Sequence, residues 1–344
     1  MALSKLSGDE QGIIFSQLCN VLDPRVAVDF SSTGHELHEL TQPLRQQLRA
    51  DHEAAAALCP KLTFYSYTTR TCTRMRICKE LREAQELEGL AGSFAGSLEL
   101  TANDLTTLGS LGSVLPVLES LYLEANVECS GWQGMQRLAA GLVTGALPAM
   151  TSFTFGKMRM DDAGASAFAA ALGRGAMLRL KTLYLEYNDI GNAGLLALAP
   201  ALRRLPALEE LAFSRNPLGD EGLAALLVPP PPAGAPPQPT GGLAKLEKLD
   251  LSHTQIAEAG CAALVAAFDS GALPALKALS LLGYRSRSRA TPYAGYSRAS
   301  AEAFDAVYEA SSRTGCVLSP TPDYDSDDYQ YSSTPYYDGV DSDA

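Results

Sequence analysis

More than half of the chain switches between two hydrophobic periods. Short stretches are apolar at every second position, as in Leu180-x-x-Leu183-x-Leu185, Leu208-x-x-Leu211-x-Phe213 and Leu246-x-x-Leu249-x-Leu251. Strict alternation marks a strand, because successive side chains of a strand leave on opposite faces. After a polar gap, apolar residues return four apart: Phe168 and Leu172, Leu198 and Leu202, Leu264 and Phe268. That spacing places both side chains on one face of a helix. Strand then helix, many times over, predicts a parallel sheet backed by helices.

Aligned on their leucines, the units begin at Ala95, Leu118, Met150, Leu180, Leu208, Leu246 and Leu276, with spacings of 23, 32, 30, 28, 38 and 30 residues. The longest step contains the proline-rich stretch Pro229 to Gly242. Asn follows the strand at 103, 126, 188 and 216, replaced by Met158, Thr254 and Tyr284 elsewhere. An amide side chain both donates and accepts, so these asparagines are expected to bond the backbone of the turn. Six residues later comes Gly109, Gly164, Gly194, Gly222 or Gly260, with Gly134 two positions late. Glycine there permits close approach where a helix begins. Asp162, Asn192, Asp220, Glu221 and Glu258 lie beside these glycines and suit helix capping. Gly-Ala-Leu-Pro at 145–148 and 271–274 reads as a helix stop. A unit this small cannot bury its apolar side alone, so the units must stack and should unfold together.

This strand–Asn–turn–Gly–helix unit resembles the ribonuclease-inhibitor type of leucine-rich repeat, over residues 95–284. The resemblance implies an α/β fold: a right-handed βα solenoid curved into a horseshoe, its parallel sheet on the concave face. The side chains between and after the strand leucines would then line the concavity. They are Glu99, Tyr122, Glu124, Lys157, Tyr184, Glu186, Tyr187, Arg215, Asp250 and His253. Tyr and Arg are common interface anchors. A protein partner is therefore expected on this face, centred on Tyr122, Tyr184, Glu186 and Tyr187.

The N-terminal residues follow another pattern. Ile13, Ile14, Leu18, Val21 and Leu22 form a helical stripe; Asp23-Pro24 breaks it and can start a second helix, with Asp23 as cap and Pro24 at its first position. A third stripe comprises Leu37, Leu40, Leu44 and Leu48, and Leu62 with Phe64 reads as a degenerate strand. The run Leu6-Ser-x-x-Glu10, Ile14-Phe15-Ser16-Gln17-Leu18, Leu22-Asp23-Pro24-Arg25 and Leu37-x-x-Leu40 resembles an F-box. It departs from that motif at Leu6-Ser7, where Leu-Pro is usual, and in having no Trp in the third helix. The resemblance implies docking to the small adaptor of a cullin-type ubiquitin ligase, with Ile13, Ile14, Leu18, Leu22 and Pro24 as contact residues. The alternative is a helical cap that seals the repeat array.

The expected organisation is 1–58 helical, 59–94 a connection or degenerate first repeat, 95–284 repeats with the 229–242 insert, 285–318 a closing helical region, and 319–344 an acidic tail. Residues 299–312 can form the closing helix, with Phe304, Val307 and Tyr308 on one face. The last 25 residues hold seven Asp, five Tyr and no Lys or Arg, a composition expected to be disordered.

Composition narrows the function further. The 344 residues carry a net charge of −12 and a pI near 4.9, unlike the basic footprint of a nucleic-acid binder. No long uncharged apolar run and no signal-peptide core occur, so no membrane association and a cytoplasmic or nuclear place are expected. Seven irregularly spaced cysteines read as plain thiols, Cys72 and Cys78 included. No phosphate-binding Gly-rich motif is present, and His35-Glu36-Leu37-His38 lacks the spacing of a zinc-protease helix. No catalytic, cofactor or metal site is expected, and the chain is read as a non-enzyme. The expected function is protein–protein recognition, with substrate selection for a cullin-type ligase as the form the F-box resemblance implies. A generic leucine-rich repeat scaffold and a Ran-type GTPase-activating protein are the alternatives. A monomer is expected outside its complex.

Overall fold

The structure, a computed structural model, describes residues 7–20, 23–58, 62–64, 89–92, 101–111, 115, 117–124, 132–227, 243–281 and 299–319. One sheet runs through the molecule, in the order β1 (Leu62–Phe64), β2 (Gly89–Gly92), β3 (Ser120–Glu124), β4 (Ser152–Gly156), β5 (Thr182–Tyr184), β6 (Glu210–Ala212), β7 (Lys248–Asp250), β8 (Ala278–Ser280) and β9 (Val317–Ser319). β1 pairs antiparallel with β2, and every later pair is parallel. The strands alternate with helices α5 (Ala102–Leu111), α6 (Trp132–Gly141), α7 (Asp162–Gly173), α8 (Asn192–Leu202), α9 (Asp220–Leu226), α10 (Glu258–Ser270) and α11 (Ala301–Thr314).

The register explains the leucine pattern. Leu121, Phe153, Leu183, Leu211, Leu249 and Leu279 are successive partners and all are buried. The helices meet this column with Phe168, Leu198, Leu223 and Leu264, also buried, in one continuous core. Strands stack about 4.8 Å apart and helices about 8–10 Å apart. The helix layer is therefore the longer one, and the solenoid curves with its sheet inside, as a horseshoe.

Two polar ladders link unit to unit. In the first, Asn188 donates to the carbonyls of Phe155, Leu185 and Glu186 and accepts from the amides of Met158 and Met160, at 2.6–3.2 Å. Asn216 repeats this on Leu185, Phe213, Ser214 and the Ile190 amide. Both side chains are buried. Thr254 makes one bond of the set, donating to the Leu251 carbonyl at 2.7 Å.

The second ladder runs along the helix N-termini. Asp162 accepts from the amides of Gly191 and Gly194, and Asn192 from those of Gly219 and Gly222. Asp220 accepts from Ala257, and Glu258 from Ser300. The acidic and amide residues thus cap the helix of the following unit rather than only their own. This arrangement requires the glycines. A Cβ on Gly194 would lie 2.5 Å from Asp162 Oδ1, and one on Gly260 2.5 Å from Asp220 Oδ1.

Several expectations are corrected. The unit placed at Ala95 is not the first repeat: the strand beside β3 is β2, with Leu90 in register with Leu121. Asn103 lies inside α5 and exposed, accepting from Arg137 at 3.4 Å, so it stitches no turn. Gly109 lies late in α5 rather than at a helix start. It allows α5 and α6 to touch, since a Cβ there would meet the Leu138 carbonyl oxygen at 2.3 Å. Gly134 takes the third place of α6, as Gly164 and Gly194 do in α7 and α8. α6 ends at Gly141, ahead of the expected Gly145 stop, whereas Gly271 caps α10 in a left-handed conformation. After α11 the chain forms β9, which the sequence reading did not assign. Tyr308 of α11 is 61% exposed; Val307 and Ala310 are the buried positions.

The N-terminal region has four helices rather than three: α1 (Gly8–Leu18), α2 (Arg25–Ser31), α3 (His35–Leu40) and α4 (Gln42–Leu58). Ser7 and Glu10 form a reciprocal capping box on α1. Pro24 is the N-cap of α2 rather than its first residue, and Asp23 pairs with Arg25 at 2.5 Å instead of capping. A small core of Phe15, Ala27 and Leu48 holds these helices. Ala55 and Leu58 at the end of α4 join the repeat core, so α4 ties the two regions together. The Pro-rich insert, the basic run Arg70 to Arg82, the Arg285 to Arg289 segment, Cys72, Cys78 and residues 320–344 lie outside the described residues.

Candidate protein-binding surface

The residue between the two strand leucines faces the concavity. Register aligns Tyr122, Thr154, Tyr184, Ala212, Asp250 and Ser280 there. Thr154 is only 5% exposed, and its hydroxyl has no hydrogen-bond partner in the protein. Its register neighbours on either side are Tyr122 and Tyr184, both half-buried. The Tyr184 hydroxyl donates to Glu210 at 2.5 Å, and Lys248 reaches the other oxygen of that carboxylate at 2.6 Å. Partial burial pushes the Glu210 carboxyl up, but the bonds from Lys248 and Tyr184 outweigh it and hold the group below the usual glutamate range.

A second column follows the strands. Lys157, Tyr187, Arg215 and His253 occupy the same repeat position, one residue before the Asn site, and all four are left-handed, with φ of 53°, 54°, 56° and 57°. Such a conformation costs a non-glycine residue about 1 kcal/mol. The ladder of Asn188 and Asn216 holds it, because the left-handed residue turns the next side chain back under the strand ends. The backbone amides of Lys157, Tyr187 and Arg215 each donate to the next unit, to Glu186, Ser214 and Ser252.

The side chains of this column gather around one ring. Lys157 Nζ lies 5.2 Å from the centre of the Tyr187 ring, and the Arg215 guanidinium carbon lies 4.9 Å from it. Both distances are within cation–π range. Tyr187 is still 39% exposed. Arg159, also left-handed and exposed, adds a third cation near Lys157 in the chain. At the opposite end of the strands, charges are paired in mixed sign: Lys181 with Glu209, Lys248 with Glu210 and Lys277 with Glu247.

The expected concave residues therefore fall into distinct groups. Lys157, Tyr187, Arg215 and His253 share the rim, with Lys157, Tyr187 and Arg215 in direct contact. Tyr122, Tyr184 and Asp250 lie in the central column, and Asp250 accepts from the Ser252 amide at 2.9 Å. Glu186, half-buried, lies between the two columns, and Glu124 closes β3. Glu99 is outside the described residues. Sequence reasoning missed Glu210, Thr154 and Arg159. The first two were legible as partners of Tyr184 and Tyr122 once the strands were aligned.

The expected N-terminal contact residues differ in exposure, and Pro24 stands at the start of α2. Ile13 is 59% exposed and lines a shallow groove with Leu40 and Leu44, which are 49% and 40% exposed. Leu18 instead packs against the inner cluster of Phe15, Ala27 and Leu48, Ile14 is half-buried, and Leu22 is outside the described residues.

A family model described as Leucine Rich repeat matches residues 180–199, 205–227 and 242–265. The chain carries leucine-rich repeats, which as a class are protein-interaction scaffolds. No curated protein sequence matches it. Among solved structures, it is similar to a Bacteroides fragilis protein, with 11% identity, 70% of this chain and 66% of that chain covered, and a TM-score of 0.39. The chain thus spans just under two thirds of that protein. It is also similar to an internalin from Listeria monocytogenes, with 12% identity, 79% and 94% of the two chains covered, and a TM-score of 0.25. Among the described residues, no helix is long and apolar enough to cross a membrane, and no three His, Cys, Asp or Glu side chains cluster as metal ligands.

Proposed function

We propose that the chain recognises an acidic protein partner on the concave side of its sheet. The observation that carries this is the Tyr187 ring held between Lys157 and Arg215. A partner carboxylate meets two cations there while its apolar neighbours cover the ring, and Tyr and Arg are the residue types that anchor interfaces. Tyr122 and Tyr184 extend the contact into the concavity. Affinity capture with the full chain, compared with Arg215→Glu, tests this. Partners rich in Asp and Glu should be recovered and then lost with the variant, while Lys181→Ala retains them. Equal recovery with Arg215→Glu would sink the reading.

A second proposal concerns the N-terminal helices, which we read as docking to the adaptor of a cullin-type ubiquitin ligase. Ile13, Leu40 and Leu44, exposed in one groove between α1 and the α3–α4 pair, support it. The purified adaptor should bind the full chain, and Ile13→Asp with Leu44→Asp should abolish binding with the fold intact. Leu18 is unsuitable for that test because it belongs to the inner cluster. Absence of adaptor binding would leave these helices as the cap of the array.

A further inference from the structure

We propose that the groove beside α1 is filled by a second copy of this chain. Two α1 helices pair antiparallel about a two-fold axis, each seated in the other's groove. The proposal goes beyond the adaptor reading and does not rest on it; the two occupants exclude each other.

The first argument is a glycine with no use inside its own chain. Asp9, Gly12, Ile13, Ser16 and Gln17 form one face of α1 and line the groove, with Leu40 and Leu44 as its other wall. Gly12 stands in the interior of the helix, where glycine is disfavoured because it loses the most backbone freedom on ordering. A Cβ added there would meet nothing within 4 Å. One added to Gly109, Gly164, Gly194, Gly222 or Gly260 would meet another atom within 3.0 Å. Gly12 therefore leaves a gap that its own chain does not use. Beside it Ile13, 59% exposed, is a knob without a hole.

The second argument is that this face complements itself. With the two-fold axis between residues 12 and 13, Ile13 of each copy enters the gap at Gly12 of the other. Asp9 then meets the other copy's Ser16, since the two stand equally far from the axis in sequence. Asp9 is exposed and has no hydrogen-bond or ion-pair partner among the described residues. The Ser16 hydroxyl, which donates to the Gly12 carbonyl at 2.9 Å, and the adjoining Gln17 amide are the donors offered to it. Hydrogen bonds to a carboxylate are stronger than those between neutral groups. The two Asp9 stay about 10 Å apart along the helices, so like charges do not meet, and the helix dipoles oppose each other. Leu40 and Leu44, 49% and 40% exposed, cover the flank of the seated helix. A helix about 16 Å long offers less than the roughly 800 Å² per partner of a tight interface, so the pair is reversible. It covers Ile13, Leu40 and Leu44, and so shields the groove from the adaptor.

The test is sedimentation velocity of the full chain from about 1 μM to about 1 mM, over which a monomer should pass into a dimer. Gly12→Ile fills the gap and should raise the dimer dissociation constant at least about tenfold. Circular dichroism should show undiminished helix in that variant, because the new side chain meets nothing in its own chain. Exchanging the two residues, Gly12→Ile with Ile13→Gly, again sets an isoleucine against a glycine across the axis and should restore the dimer. A chain that stays monomeric over the whole range overturns the proposal. So does a dimer indifferent to Gly12→Ile, or one that the exchange fails to restore. The purified adaptor separates this from the adaptor reading. Where both hold, adding it should convert the dimer into one-to-one complexes. Adaptor binding by a chain that never dimerises removes the second copy and leaves that reading, and a Gly12-dependent dimer that binds no adaptor does the reverse.

Discussion

The N-terminal helices and the repeat array solve the same problem with very different resources. Four helices share a core whose fully buried members are Phe15, Ala27 and Leu48, and they leave Ile13, Leu40 and Leu44 half in water. The array buries its strand and helix apolar columns in one uninterrupted core and adds two ladders of buried or half-buried polar side chains. Stability in the first region depends on a few contacts, in the second on repetition. The array also exposes apolar side chains, Val143, Leu178 and Leu196 among them, but singly along its helix side and loops rather than around one groove. The difference is one of construction: α1 to α4 rest on a cluster of three buried side chains, the array on one continuous core.

The sharpest way to break the comparison is to cut a ladder. Asn188 makes five bonds to backbone groups inside the array. Asn188→Ala would strand several of those groups, at about 4 kcal/mol. Urea unfolding should show that loss as a lower midpoint for the whole array; a local effect confined to α7 and α8 would contradict cooperative stacking. Next in size is Phe15→Ala, expected to cost the N-terminal helices about 3 kcal/mol. Hydrogen exchange should then speed up in α1 to α3 while α7 to α10 stay protected. Equal acceleration in both would mean the two cores are one cooperative unit.

Gly194→Ala comes third, forcing a Cβ against the Asp162 carboxylate, at about 2 kcal/mol. Adding Asp162→Ala to it should cost less than the two single changes together, because the clash is then gone. The smallest effect concerns pH. The Glu210 carboxyl is held below the usual glutamate range, so its contribution is complete above that range and is lost as pH falls through its folded value. Tyr184→Phe removes one of the bonds and should move that acid limb slightly upward in pH. An unchanged limb would mean that Lys248 alone sets the titration.

The same comparison shows what could be read before any coordinates. The array was legible because period-two leucines, Asn and Gly recur, and each has one physical reason to recur. Its ends were not. Leu98-x-Leu100 and Asn103 imitate a unit, whereas the strand that pairs with β3 is Gly89–Gly92, whose glycines hide the alternation. β9 is three residues long, and no asparagine turn follows it. In the N-terminal region, Leu40 and Leu44 fit the helical stripe but face outward, because a small core fills before the stripe ends. At the candidate site, sequence placed Lys157, Tyr187, Arg215 and His253 on the concave side. It did not show their left-handed backbone or the meeting of three of them, since both depend on the stacking distance between units.

The two ladders run in opposite directions, and this gives the array a polarity. Asn188 serves the unit before it, reaching Phe155, Met158 and Met160, while Asp162 serves the unit after it, reaching Gly191 and Gly194. Shortening the molecule from either end therefore leaves a different wound. Deletion of N-terminal units bares the amides of a helix start, and deletion of C-terminal units bares the amides and carbonyls of a turn. A grafted terminus must offer acceptors at the front, and at the back a group that both donates and accepts.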